Sequence, residues 1–176
     1  MALLATACGA GAPPAVRTTP GQGLLRAGDL PGWKAVPAEP GIGELAPELS
    51  GLRATGRLEA PALVHAGDAA RATAILFSTA DDAARALARA KDESYRAFLE
   101  HAFGGAVVGR GPGVGYRLHV TRGSEPGSDT AEVYVLSRGR ALALVELVSA
   151  SGFPPSRRDR VLALVSSRLG RETAAG

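Results

Sequence analysis

AEVYVLSRGRALALVELVS, residues 131 to 149, is the stretch on which the fold turns. It divides at Arg138-Gly139 into two runs, Ala131 to Leu136 and Arg140 to Ser149, joined as a tight hairpin in which glycine supplies the positive φ. In the second run Ala141-Leu142-Ala143-Leu144-Val145 is apolar on both alternating faces, which places that strand in the middle of a sheet covered on both sides. The helical propensity of its leucines and alanines argues the other way.

Working outward, Gly115 to Thr121 reads as a further strand, with Arg122 to Asp129 as a polar loop. Upstream, Arg57 to His65 and Arg71 to Phe77 read as two strands of a hairpin across Ala66-Gly67-Asp68-Ala69. Ser78-Thr79-Ala80-Asp81-Asp82 marks a helix start, because hydroxyl and carboxylate oxygens take the unpaired amide hydrogens of a first turn. Ala84, Leu87, Ala88, Tyr95, Phe98, Leu99, Ala102 and Phe103 then recur at helical spacing, forming one long helix that stops at Gly104-Gly105. Ser156 caps a last helix to Leu169, closed by Gly170. Before the first strand, Gly21 to Ala27 reads as a short turn of helix, and Pro37 to Ser50 as an irregular surface connection. The expected class is therefore α+β: a twisted, mainly antiparallel sheet flanked by a long central helix and a C-terminal helix.

Composition fits a folded chain, with 45% hydrophobic and 21% charged residues. The formal charge is +3, and the arginines are dispersed through strands and helices without a concentrated aromatic-lined patch, so nucleic acid is not an expected partner. Cys8 is the only cysteine, which excludes an internal disulfide and a cysteine-rich metal site. Lys34 and Lys91 are the only lysines; with the alanine and glycine load, this suggests a GC-rich genome.

Ala5-Thr6-Ala7-Cys8 resembles a lipobox: small side chains precede a cysteine whose sulfur takes the lipid. The resemblance implies a diacylglyceryl group on Cys8 and a membrane as partner, held by more than the marginal grip of one acyl chain. Residues 1–7 are then a shortened signal-peptide remnant and 8–23 a lipidated flexible tether, since GAGAPPAVRTTPGQG has too few large apolar side chains to pack. Residues 24–170 form a single α+β domain and 171–176 a disordered tail. No later stretch has the apolar length of a spanning helix.

The segment Leu24-Leu25-Arg26-Ala27-Gly28-Asp29-Leu30-Pro31-Gly32-Trp33, followed by strands, a long helix, the Arg138-Gly139 hairpin and a terminal amphipathic helix, resembles small lipoproteins and extracellular sensor-type domains of actinobacteria. That resemblance implies a PsbP/Mog1-like fold and brings no catalytic residues with it. The paired cysteines that many such sensor domains carry are lacking here.

Gly109-Arg110-Gly111-Pro112-Gly113-Val114-Gly115 is glycine-rich, but Pro112 donates no amide and the run leads into a strand, so a sharply bending loop is preferred to a phosphate cradle. His65, His101 and His119 lack the spacing of a zinc site; His119 is expected on the solvated face opposite Tyr116, Leu118 and Val120. No metal or cofactor is expected. Glu146 interrupts the most apolar strand, where a buried carboxylate needs a partner; Arg117 or Arg140 could supply it. Trp33, beside a Pro-Gly bend, reads first as a packing anchor, with stacking on a ligand as the alternative. The candidate ligand-binding set is thus Trp33, Arg117 and Glu146. The expected role is a non-enzymatic, membrane-tethered envelope lipoprotein on the outer face that binds a ligand or protein partner. The alternative is a structural or assembly accessory protein of an envelope complex with no small-molecule pocket. A concave cavity near Glu146 and Trp33 favours the first, an exposed apolar patch on a sheet edge the second.

Overall fold

The computed structural model describes residues 15–17, 23–37, 46–122 and 125–172. Cys8 with its lipobox, most of the tether and the last four residues of the tail lie outside the described residues. The described chain is α+β. Its strands are β1 (Ala15–Arg17), β2 (Lys34–Val36), β3 (Ala54–Glu59), β4 (Ala62–His65), β5 (Asp68–Phe77), β6 (Gly105–Gly111), β7 (Val114–Arg122), β8 (Glu125–Arg138) and β9 (Ala141–Ser149). Its helices are α1 (Ala80–Arg89), α2 (Glu93–Phe103) and α3 (Pro155–Glu172).

One sheet runs in the order β1-β3-β5-β9-β8-β7-β6, with β4 beside β5 and β2 beside β4. Every pairing is antiparallel except β1 with β3, where Ala15–Arg17, within the stretch expected as tether, lies parallel to Arg57–Glu59. The Arg138-Gly139 hairpin joins β8 to β9, and β9 sits between β5 and β8 as its two apolar faces require. Ala141, Ala143, Val145 and Leu147 point into a core shared with Val161, Val165 and Leu169 of α3 and with Leu24, Leu25, Leu30 and Trp33. Leu142 and Leu144 point the other way, into a core shared with Ala83, Ala86 and Ala90 at α1 and Tyr95 and Leu99 of α2.

Several expectations are corrected. The long central helix is two helices. Thr79 caps α1 by accepting from the Asp82 amide, but at Ala90 to Asp92 the chain tightens into three-residue turns, and Asp92 becomes extended before α2 starts. That break resets the helical phase. Of the expected stripe Tyr95 and Leu99 are buried and Leu87 and Phe103 half-buried, but Ala84, Ala88, Phe98 and Ala102 are exposed, and α1 buries Ala83 and Ala86 instead. The strand expected over 57 to 65 is divided at Ala60-Pro61 into β3 and β4, which line up along β5; proline has no N–H for the ladder. Gly23, Leu24 and Leu25 are bends and not helix. α3 continues through Gly170, and the loop expected over 122 to 129 is largely the start of β8.

The glycine-rich run contains the end of a missed strand, β6. β6 and β7 meet through Pro112-Gly113, and Gly111 faces Gly115 across the ladder. A Cβ on Gly111 or Gly115 would lie 2.6 Å from the Tyr134 ring, so these glycines open the sheet surface for that ring. No amide cradle is needed to explain them.

Candidate functional site

The sequence-derived set is not one site. Trp33 and Arg117 lie on the α3 side of the sheet and Glu146 on the α1/α2 side, as the register and the two cores require. Arg117 stands opposite Glu132 and is spent there, its Nε 3.2 Å from Glu132 Oε1. The other oxygen of Glu132 accepts from the Tyr134 hydroxyl at 2.7 Å. Burial, and then this bond to a carboxylate, push the Tyr134 phenol well above its ordinary range. This Arg-Glu-Tyr chain ties β7 to β8.

Trp33 is 6% exposed and closes the bend that starts at Asp29, its amide donating to the Leu30 carbonyl at 3.1 Å. Its ring lies 5.9 Å from Phe153, with the Arg157 guanidinium 5.7 Å from its centre. On another side the His65 ring stacks against it at 5.9 Å and 26°. The anchor reading of Trp33 therefore accounts for its placement. What Trp33 supports is a cleft of about 480 Å³, lined by Gly32, Lys34, His65 and the β4–β5 turn through Asp68.

The polar groups of this cleft are fixed by their neighbours. His65 Nδ1 is 3.1 Å from the Gly32 carbonyl oxygen; a carbonyl only accepts, so Nδ1 carries the hydrogen and Nε2 of the neutral ring is the acceptor left over. Asp68 faces His65 across the hairpin and takes Arg157 Nη1 at 3.3 Å. Ala66 holds φ 47°, a left-handed conformation rare for a residue with a Cβ, and Gly67 follows at φ 89°. The pair forms the two-residue turn that sets Asp68 opposite His65. Sequence reading weighed His65 only as a zinc ligand; the stacking partner and the carbonyl come from Gly32-Trp33, a contact across 33 positions that no local pattern announces.

On the opposite face, Glu146 is 8% exposed and pairs in register with Arg71 of β5, not with Arg117 or Arg140. Arg71 and Thr73 project on that same side, as do Arg57 and Glu59 of β3, which are joined at 3.1 Å. Burial pushes the Glu146 carboxyl up to about 7, against the pull of the Arg71 charge. The partner was unreadable because β5 and β9 are separated by the whole middle of the chain.

Of the remaining histidines, His119 is exposed on β7 between buried Leu118 and half-buried Val120, on the solvated face expected for it, and His101 is exposed in the last turn of α2. Among the described residues no group of three or more His, Cys, Asp or Glu side chains could hold a metal ion, and no helix is long and apolar enough to cross a membrane.

No family model matches the chain. No curated protein matches it in sequence. Among solved structures, the extracellular domain of PknH from Mycobacterium tuberculosis is similar at 12% identity, covering 69% of this chain and 68% of that one, with a TM-score of 0.43.

Proposed function

We propose that the chain is a non-enzymatic, lipid-anchored envelope protein on the outer face of a bacterial membrane, and that its domain binds a ligand in the cleft beside Trp33. The observation that carries this reading is the cleft itself: a concave volume of about 480 Å³ backed by a His65 ring stacked on a buried indole. Its polar groups are already committed, His65 to a backbone carbonyl and Asp68 to Arg157, an arrangement suited to holding a ligand in one orientation. Ala5-Thr6-Ala7-Cys8 supports the anchor, and the order of strands and helices supports kinship with PsbP/Mog1-like sensor domains.

The second reading, an assembly accessory protein, is favoured by the β6 edge, where Val108 is 50% exposed. Two measurements separate the readings. Protein extracted in detergent from its native host should carry a diacylglyceryl mass on Cys8 that Cys8→Ala abolishes. Soluble envelope fragments should then raise the Tm of the wild type and not of Lys34→Ala or His65→Ala. An unmodified N-terminus removes the anchor, and indifference of Tm to every fragment, with partner crosslinks at Val108, transfers the assignment to the accessory role.

A further inference from the structure

The junction of α1 and α2 opens a second cleft, on the side of the sheet away from Trp33. It holds about 370 Å³ and is lined by Ala46 and Glu48 on one wall, by Arg89 at the end of α1, and by Asp92, Tyr95 and Phe98 on the other. Asp92, Tyr95 and Phe98 follow one another at three-residue spacing, which sets them in a row down one side of α2.

That row is charged at one end and apolar at the other. Phe98 is 37% exposed, and its ring stacks on the buried Tyr95 ring at 6.0 Å and 25°. Tyr95 in turn meets Tyr116 edge-on at 5.8 Å, and the Tyr116 hydroxyl donates to the Ala90 carbonyl at 2.7 Å. The aromatic wall is thus fixed from behind before any ligand arrives.

Among the described residues three charged side chains line the cleft. Arg89 is engaged with the facing wall, its Nη1 donating to the Glu48 carbonyl at 2.7 Å and the Ser50 carbonyl at 2.8 Å. Asp92 is the N-cap of α2, yet its side chain accepts none of the helix amides, and neither it nor Glu48 forms an ion pair among the described residues. Two carboxylates against one guanidinium leave the lining with one negative charge in excess. The end of α1 and the start of α2 meet here, so their opposite partial charges offset each other. Of the neighbouring charges, Glu93 is held by Arg96 at 3.1 Å and Lys91 does not line the cleft.

We infer that this cleft is a binding site, separate from the one beside Trp33, for an alkylammonium group carried by a free amine or by a lysine side chain. The ammonium brings N–H donors to the Asp92 and Glu48 carboxylates, and its charge is drawn to the face of an aromatic ring. Its methylene stem covers Phe98, the part of the wall that otherwise meets water. An anion would find Arg89 alone, with Nη1 already spent, and would meet two like charges.

The test is an NMR titration of the full chain with butylammonium, butanol and butyrate, probes of similar size that differ in charge, reading the amides from Asp92 to Phe98 and the Phe98 ring. Saturable shifts are expected with butylammonium, weaker binding with butanol and the weakest with butyrate. Asp92→Asn and Glu48→Gln, which keep size and hydrogen-bonding oxygens, should each weaken butylammonium about two- to fivefold without changing butanol. Phe98→Leu, apolar but without a ring face, should weaken butylammonium by about the same factor. A blocked lysine-centred tripeptide separates the two sources: tighter binding than butylammonium assigns the site to a lysine of a peptide, and equal or weaker binding to a free amine. Three results overturn the inference: no saturable shift with butylammonium; butanol binding as tightly, which makes the cleft an apolar pocket only; or a preference for butyrate, which gives the cleft to Arg89. Because Lys34 and His65 lie in the other cleft, Lys34→Ala and His65→Ala should leave these titrations unaltered.

Discussion

Asp29 and Arg168 are joined by a two-pronged ion pair across 139 positions of sequence, Nη2 donating to Oδ1 at 2.6 Å and Nη1 to Oδ2. The same Nη1 donates to the Leu24 carbonyl at 3.0 Å, and the Arg26 amide donates back to Asp29 at 2.6 Å. This clamp fastens the Leu24-to-Trp33 segment onto α3. With side chains only 10% and 11% exposed, removing one partner strands the other: Arg168→Ala or Asp29→Asn should cost about 3–5 kcal/mol by chemical denaturation. Replacing both with apolar residues of like size should recover most of that loss. Burial works against the Asp29 charge, but the bonds from Arg168 and Arg26 prevail and hold its carboxyl below the ordinary range. The clamp's contribution is therefore whole above the ordinary Asp pKa and fades as pH falls through the depressed one.

Glu146 has the opposite sign. Its pKa is raised from 4.5 in the open chain to about 7 in the fold, so the native state holds the proton more tightly. This group's contribution is complete below pH 4.5 and is lost as pH rises toward 7, a fall of up to about 3 kcal/mol. Stability measured at intervals from pH 5 to 8 should show a downward component in the wild type that is missing in Glu146→Gln. A flat difference between the two proteins would remove the buried-carboxylate account.

Trp33 as an anchor makes a separate prediction. Trp33→Ala empties the space between Phe153, Arg157 and His65 and should destabilise by about 3–5 kcal/mol, read as a lowered Tm. His65→Ala removes an exposed ring and should change stability by less than about 1 kcal/mol. An unchanged Tm in Trp33→Ala would return the indole to the role of a ligand platform.

Gly115→Ala tests the seat of Tyr134. The added methyl would meet Tyr134 Cε1 at 2.6 Å and should cost about 1–3 kcal/mol. In a Tyr134→Leu background the penalty should shrink, giving a coupling energy in a double-mutant cycle. Equal penalties in both backgrounds would show that the glycine serves backbone geometry alone.

These relationships divide by range. The β8–β9 hairpin, the two-sided burial of β9, the cap at Thr79 and the face of His119 all follow from residues a few positions apart, and all are legible in the sequence. β6 is not: Gly105, Gly109 and Gly111 carry no strand signal, and the room that Gly111 makes is for Tyr134, which belongs to β8, while Gly105 lies against the His119 backbone. The break between α1 and α2 is masked because alanines are equally at home on either side of a helix, leaving the true buried face unmarked until Tyr95 and Leu99 fix it. The candidate site is the least legible. Trp33 and Glu146 stand out as single residues, yet their partners His65 and Arg71 arrive through pairings between distant strands.

The place of β9 in the sheet has a consequence for biosynthesis. Among the described residues it is the last strand in the chain, yet it fills the gap between β5 and β8. A chain emerging N-terminus first can assemble only separate fragments on either side of that gap, and residue 149 must be out before they can be joined. Until then the two parts of the sheet lack the strand that joins them, and closure of the fold waits on the β8–β9 hairpin.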